Sequence, residues 1–278
     1  MIATLSTHAC FGGTLGYYQH PSRVNDCDMK FAVYTPPQAA RGPVPVLYYL
    51  AGLTCTEETF VTKSCALEHA ARHGLMLVAP DTSPRVALPG DRDSWDFGIA
   101  AGFYLDATEA PWSKHYRMYQ YVVEELPGII AGDFPADISR SGIFGHSMGG
   151  HGALTIGLKN PTRYHSLSAF APIAAPMQSP WGVKAFTGYL GAYRAAWSQY
   201  DATELVKAGK KFDTGILIDQ GTADKFLAEQ LKPGLLEAAC REAGQPLTLN
   251  LREGYDHGYF FIQTFIGEHM AWHAQRLA

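Results

Sequence analysis

The chain reads as short apolar runs separated by longer stretches with helical spacing. Residues 29–35 alternate apolar and polar side chains, the period of a half-buried strand. Residues 46–50 and 75–79 are continuous apolar runs ending at Ala51-Gly52 and Pro80-Asp81, the pattern of parallel strands covered on both faces. Between them, 64–73 has helical spacing, with Ser64 placed to cap its start and Gly74 to stop it. The same reading predicts a helix over 117–130, bent near Pro127-Gly128, a strand over 138–144, and a helix over 149–158 before Asn160-Pro161. Further strands are expected at 166–171, 216–219 and 247–251, and further helices at 228–243 and 259–275. Strands alternating with helices imply an α/β architecture: a mostly parallel central sheet with crossover helices on both faces. In such sheets the chemistry sits at the carboxyl ends of the strands. Residues 172–197, rich in Pro, Trp and Tyr, fit the alternation poorly and are expected to cap that end.

No repeat, low-complexity tract or linker divides the chain, so residues 1–278 are expected to form a single domain. Apolar residues make up 47% and charged residues 17%, which suits a soluble enzyme. Net charge is −4 with the signs interspersed, so nothing points to a nucleic-acid or anionic-membrane partner. Residues 1–14 lack the basic and apolar regions of a secretory signal, and no run approaches the ~18–20 apolar residues of a membrane span. Five scattered cysteines show no CxxC spacing, and Pro161 blocks the sequon at Asn160. These features predict reduced thiols and a cytoplasmic location.

Gly145-His146-Ser147-Met148-Gly149 matches GxSxG, and its context carries more than the match. It follows a predicted strand and opens a predicted helix, so a tight turn lifts the Ser147 hydroxyl above the sheet. The same turn puts the Met148 amide at a helix N-terminus, where it can hold an oxyanion. A serine hydroxyl needs a base, and the base needs an orienting carboxylate, in the chain order Ser, acid, His. Of the later histidines, His151 lies in the elbow's own helix, His165 precedes a strand, and His269 and His273 sit on the last helix. His257, in the Gly-rich loop after the 247–251 strand, occupies the carboxyl end where a base belongs. For the acid, Asp213 precedes its strand and Asp256 abuts His257. Asp224, in the loop beyond Gly221, is favoured over Asp219, which closes the 216–219 strand and can anchor that loop. The second oxyanion donor should come from Gly52-Leu53-Thr54-Cys55-Thr56, with the Leu53 amide as the choice. Cys55 then lies near the substrate pocket, as a small buried hydrophobe or as a thiol that disturbs the site when modified.

Asp81-Thr82-Ser83-Pro84-Arg85, Ser94-Trp95-Asp96-Phe97-Gly98, Pro180-Trp181-Gly182, Asp224-Lys225-Phe226-Leu227 and Gly254-Tyr255-Asp256-His257 add to these motifs. Together they resemble the S-formylglutathione hydrolases, the esterase D family, from about Cys10 to the C-terminus. The resemblance implies an α/β-hydrolase fold and hydrolysis of S-formylglutathione to glutathione and formate, a step of formaldehyde detoxification. It places the triad on Ser147, Asp224 and His257 and the oxyanion donors on Leu53 and Met148, and it implies no metal and no cofactor. Only the resemblance suggests a homodimer. Trp181 and Trp95 resemble positions near the acyl pocket, with core packing as the other reading of each. Ser179 and Gly258 depart from residues common in the family, which bears on acyl preference. Arg85, Lys63 and Lys184 are named for the glutathione carboxylates. The competing readings are a short-chain carboxylesterase with another physiological ester, such as an O-acetyl sugar, and a non-catalytic binding protein of the same fold.

Overall fold

The apolar runs pair side by side into one sheet of nine strands. The computed structural model describes residues 1–89 and 94–278. The strands are β1 Ala3–Cys10, β2 Gly13–Ser22, β3 Cys27–Thr35, β4 Val44–Leu50, β5 Met76–Pro80, β6 Ala136–His146, β7 Tyr164–Phe170, β8 Ile216–Gly221 and β9 Leu247–Arg252. Their order across the sheet is β1-β2-β3-β5-β4-β6-β7-β8-β9. From β5 to β9 all pairs are parallel, while β1, β2 and β3 form an antiparallel flank that joins β5. The sheet is therefore mostly parallel, as the alternation predicts. The flank strands β1 and β2 were not legible in the pattern, because β1 is exposed along nearly its whole length and carries no buried face.

The helices are α1 Glu57–Lys63, α2 Ala66–His73, α3 Met118–Gln120, α4 Leu126–Asp133, α5 Met148–Lys159, α6 Pro180–Leu190, α7 Ala202–Lys207, α8 Pro233–Ala243 and α9 Tyr259–Leu277. They cover both faces, as the alternating side chains of β6 demonstrate. A Cβ at Gly142 would touch His273 of α9, and the Phe144 ring lies 5.2 Å from that same imidazole. Gly145, one residue on, faces α5 instead, where a Cβ would meet the Gly149 carbonyl. On the α9 side, the Tyr49 and Phe60 rings stack at 3.5 Å and both pack on Phe144.

Three expected elements change on inspection. The helix over 64–73 begins at Ala66, because Cys65 takes a left-handed conformation (φ 61°) between α1 and α2. Ser64 ends α1, yet its hydroxyl accepts from the Ala66 amide, so it satisfies the start of α2 from one residue further out. The 117–130 segment holds α3 and α4 joined by a π turn over Tyr121–Glu125. Pro127 has no N–H to donate, and the turn before it widens so that the Leu126 amide reaches the Tyr121 carbonyl. Residues 228–243 divide at Lys232, which is left-handed (φ 50°) ahead of Pro233 at the first position of α8.

At the carboxyl edge, Asp219 of β8 is fully buried and ties β8 to β9. It accepts from Asn250 Nδ2 and Arg252 Nε, each at 2.8 Å, and His269 Nε2 of α9 lies 3.8 Å away. Burial alone pushes this carboxyl upward, but the His269 ring and the bonds from Arg252 and Asn250 more than reverse it, leaving the pKa below its usual value. A depressed acid stabilises the fold above its unfolded pKa and loses that contribution as pH falls through the folded one. Asp219→Ala should cost about 3 kcal/mol in denaturant unfolding at neutral pH, since it strips the buried partner from Arg252. The difference from the parent should shrink as the pH is lowered through the carboxylate range. A loss that stayed constant with pH would show that packing, and not charge, carries the effect.

Candidate active site

The β6–α5 junction is too tight for ordinary backbone. Ser147 sits there with φ 58° and ψ −118°, a strained conformation for a residue with a side chain. The chain after it passes so close to β4 that a Cβ on Gly149 would lie 1.9 Å from the Leu50 carbonyl oxygen. This turn holds the Ser147 side chain at the wall of a cavity of about 270 Å³. Gly52, Leu53, Thr54, Cys55, Trp95, His146, Trp181, Phe226, His257 and Tyr259 line the rest.

The loops after β8 and β9 bring Asp224 and His257 together. His257 Nδ1 bonds Asp224 Oδ2 at 2.5 Å. Asp224 also accepts from the Phe226 amide at 2.8 Å and from Gln220 Nε2 at 3.3 Å, and its side chain is fully buried. Burial raises its pKa, and the bonds and charge from His257, with those from Phe226 and Gln220, outweigh that and lower it. The carboxylate is thus charged, accepts the Nδ1 proton and leaves Nε2 of His257 with its lone pair. Gly221 makes this approach possible: a Cβ there would lie 2.3 Å from the Tyr255 carbonyl oxygen. Ser147 Oγ makes no hydrogen bond to a described residue. Bonds of this kind commonly close only when substrate is present.

Leu53 lines the same cavity, and Met148 directly follows Ser147 in the chain. Met148 opens α5, where first-turn amides have no intrahelical acceptor, and among the described residues nothing accepts from the Leu53 amide. The Leu53 loop is held from behind. The Cys55 carbonyl accepts from Thr82 Oγ1 at 2.6 Å and from Arg85 at 3.0 Å, and Arg85 is itself paired with Asp81. Cys55 lines the cavity, and burial raises its thiol pKa.

Of the residues expected at the site, Ser147, His257, Leu53, Cys55, Trp95 and Trp181 line the cavity, and Asp224 bonds His257 at its wall. Trp95 is no core residue: it is 54% exposed and meets Trp181 edge-on at 5.4 Å, forming a rim. Ser94 and Asp96 on either side of it both bond Lys184. Arg85 and Lys184 are therefore committed to Asp81 and Asp96, which corrects their expected place as free cations for substrate. Of the other acids and histidines weighed, Asp219 faces Arg252 and not His257, and His165 bonds the Ser139 carbonyl far from the cavity. His151 is buried against the Phe103 carbonyl, and burial pushes its pKa down to about 4. His269 and His273 are core residues joined through the Ser168 hydroxyl, and His273 also bonds Ser166 Oγ.

Sequence reasoning missed His146, Phe226 and Tyr259 as wall residues. Each is within two positions of a triad candidate, which was the available signal. His146 lies 4.5 Å from the His257 ring with both nitrogens buried and unpartnered, and burial and the neighbouring His257 hold it neutral. Among the described residues no group of three or more His, Cys, Asp or Glu side chains is placed to hold a metal ion. Nor is any described helix long and apolar enough to cross a membrane.

A buried Asp–His pair and a strained serine elbow beside one cavity can perform acyl transfer. Known proteins agree with that chemistry. The Esterase family model matches residues 22–272. S-formylglutathione hydrolase of Mus musculus is 54% identical over 275 residues, 98% of each chain. The enzyme of the same name from Paracoccus denitrificans is 51% identical over 274 residues, 99% of this chain and 98% of that one. The solved structure of an S-formylglutathione hydrolase from Agrobacterium tumefaciens superposes with a TM-score of 0.97 at 52% identity, covering 99% of both chains. With more than half its residues shared with one such enzyme along nearly the whole length, the chain belongs to the S-formylglutathione hydrolase family of α/β-hydrolase esterases.

Proposed function

We propose that the protein hydrolyses S-formylglutathione to glutathione and formate, with Ser147, His257 and Asp224 as its triad. The observation that carries this reading is the 2.5 Å bond between His257 Nδ1 and Asp224 beside a cavity that also holds Ser147. Ser147 Oγ attacks the formyl carbon and passes its proton to His257 Nε2. The Leu53 and Met148 amides hold the tetrahedral oxyanion. Collapse breaks the C–S bond, and glutathione leaves as a thiolate that takes the proton from His257. Water then attacks the formyl-Ser147 ester, giving a proton to His257; His257 passes that proton to Ser147 Oγ as the C–O bond breaks, and formic acid departs and ionises to formate. Asp224 keeps the imidazole in the required tautomer and stabilises its cation. The same reading takes residues 1–278 as one catalytic domain. Five free thiols support a reducing compartment, the cytoplasm.

Steady-state turnover of S-formylglutathione tests the assignment. Ser147→Ala should lower kcat by on the order of 10⁴–10⁶, and Asp224→Asn by roughly 10⁴, with unfolding curves unchanged. A folded Ser147→Ala variant within about tenfold of the parent would sink it.

Thiol-reactive agents should slow the enzyme through Cys55, because an adduct there crowds the cavity and shifts the Leu53 loop; a misplacement of about 1 Å can cost ~10²-fold. Cys55→Ala should keep most activity and lose the sensitivity. Full sensitivity in that variant would move the effect to another of the five thiols.

Trp181 packs between Trp95 and Phe226 and closes the acyl side of the cavity. Trp181→Ala should raise activity on butyryl relative to acetyl esters. Its folding must be checked first, since such truncations cost ~3–5 kcal/mol. An unchanged chain-length preference in a folded variant would return Trp181 to packing alone.

A further inference from the structure

The cavity walls form a chain of rings, and the order of that chain locates two lysines. Tyr259 lies 6.1 Å from His146, His146 4.5 Å from His257, His257 5.1 Å from Phe226, and Phe226 4.7 Å from Trp181. The reacting imidazole is thus in the middle of the row. Lys63, in the last turn of α1, holds its ammonium 5.9 Å from the Tyr259 ring. Lys225, next to Asp224 in the chain, holds its ammonium 4.9 Å from the Phe226 ring. Both side chains are exposed, and among the described residues neither ammonium has a carboxylate partner. The other two cations weighed for this role, Arg85 and Lys184, are held by Asp81 and Asp96.

We propose that Lys63 and Lys225 flank the cavity mouth as a pair and take the two carboxylates of the glutathione moiety, one at each end. This rests on the reading of S-formylglutathione as substrate. The chemistry of that molecule matches the placement. Its thioester is on the central cysteine of a tripeptide, and a carboxylate lies on the γ-glutamyl arm on one side and on the glycine on the other. With the formyl carbon at Ser147, the two arms run outward in opposite directions from His257, toward Tyr259 and toward Phe226. The aromatic faces support the aliphatic stems of the lysines and leave the ammonium groups at the solvent edge. Such contacts select a leaving group that carries two carboxylates over one that carries none, without touching the reacting atoms.

The test compares S-formylglutathione with p-nitrophenyl acetate, which carries no charge, in Lys63→Met, Lys225→Met and the double variant. The double variant should raise KM for S-formylglutathione by roughly five- to tenfold with kcat within about twofold, as expected for two solvent-edge ion pairs. The ratio of kcat/KM between the two substrates should fall by the same factor. Added salt should weaken the parent's KM for S-formylglutathione and have little effect on the double variant's. Lys→Arg at both positions should restore most of the ratio. A double variant that keeps the parent's substrate ratio would overturn the proposal, as would a parallel loss on both substrates. If the parent itself cleaves p-nitrophenyl acetate and leaves S-formylglutathione intact, the substrate reading fails and the lysine pair fails with it.

Discussion

The site depends on one close passage of backbone, where the loop after β8 runs against the loop after β9. Asp224 is on the first loop and His257 on the second, and their bond exists because the two chains touch at Gly221 and Tyr255. The Ala223 amide donates to that same Tyr255 carbonyl at 3.0 Å, and the Gly254 amide donates to Thr222 Oγ1 at 3.0 Å. A side chain at position 221 would separate the loops before any change in the catalytic groups themselves. Parallel pairing of β8 and β9 sets the register that delivers both loops to this point. The fold's contribution to catalysis begins with that spacing.

Two buried carboxylates leave the end of β8 with opposite assignments. Asp219 faces Arg252 and Asn250 and fastens strand to strand. Asp224, beyond the glycine, faces His257 and orients a ring. Both are held ionised against the cost of burial by the donors around them. The two acids differ in which partner each loop geometry offers, since their chemistry is the same.

Much of this was legible in the sequence, for identifiable reasons. The parallel strands announce themselves as apolar runs because both faces are covered, and β5, buried at every position, is the clearest case. The order Ser147, Asp224, His257 follows from strand ends and loop positions. The flank strand β1 is invisible because it has no buried face to impose a period. The breaks at Cys65 and Lys232 are invisible because a left-handed residue with a side chain leaves no compositional mark. Arg85 and Lys184 were misjudged for a related reason: charge is visible in sequence, but the carboxylate that takes it is a matter of three-dimensional neighbourhood. Trp95 lines the cavity, as the resemblance implies, and stands at its exposed rim.

The hold on the Cys55 carbonyl reaches beyond the loop it fixes. Thr82 and the Asp81-paired Arg85 grip the peptide chain two residues after Leu53, so the amide dipole there is set before any acyl group arrives. In bulk water, a growing negative charge must turn solvent dipoles toward itself, and that reorientation is much of the barrier to attack on a carbonyl. In the proposed reaction the Leu53 amide is such a dipole, on a loop anchored through the Arg85–Asp81 ion pair behind it. The enzyme has moved the work of reorganisation from each turnover to the single event of folding.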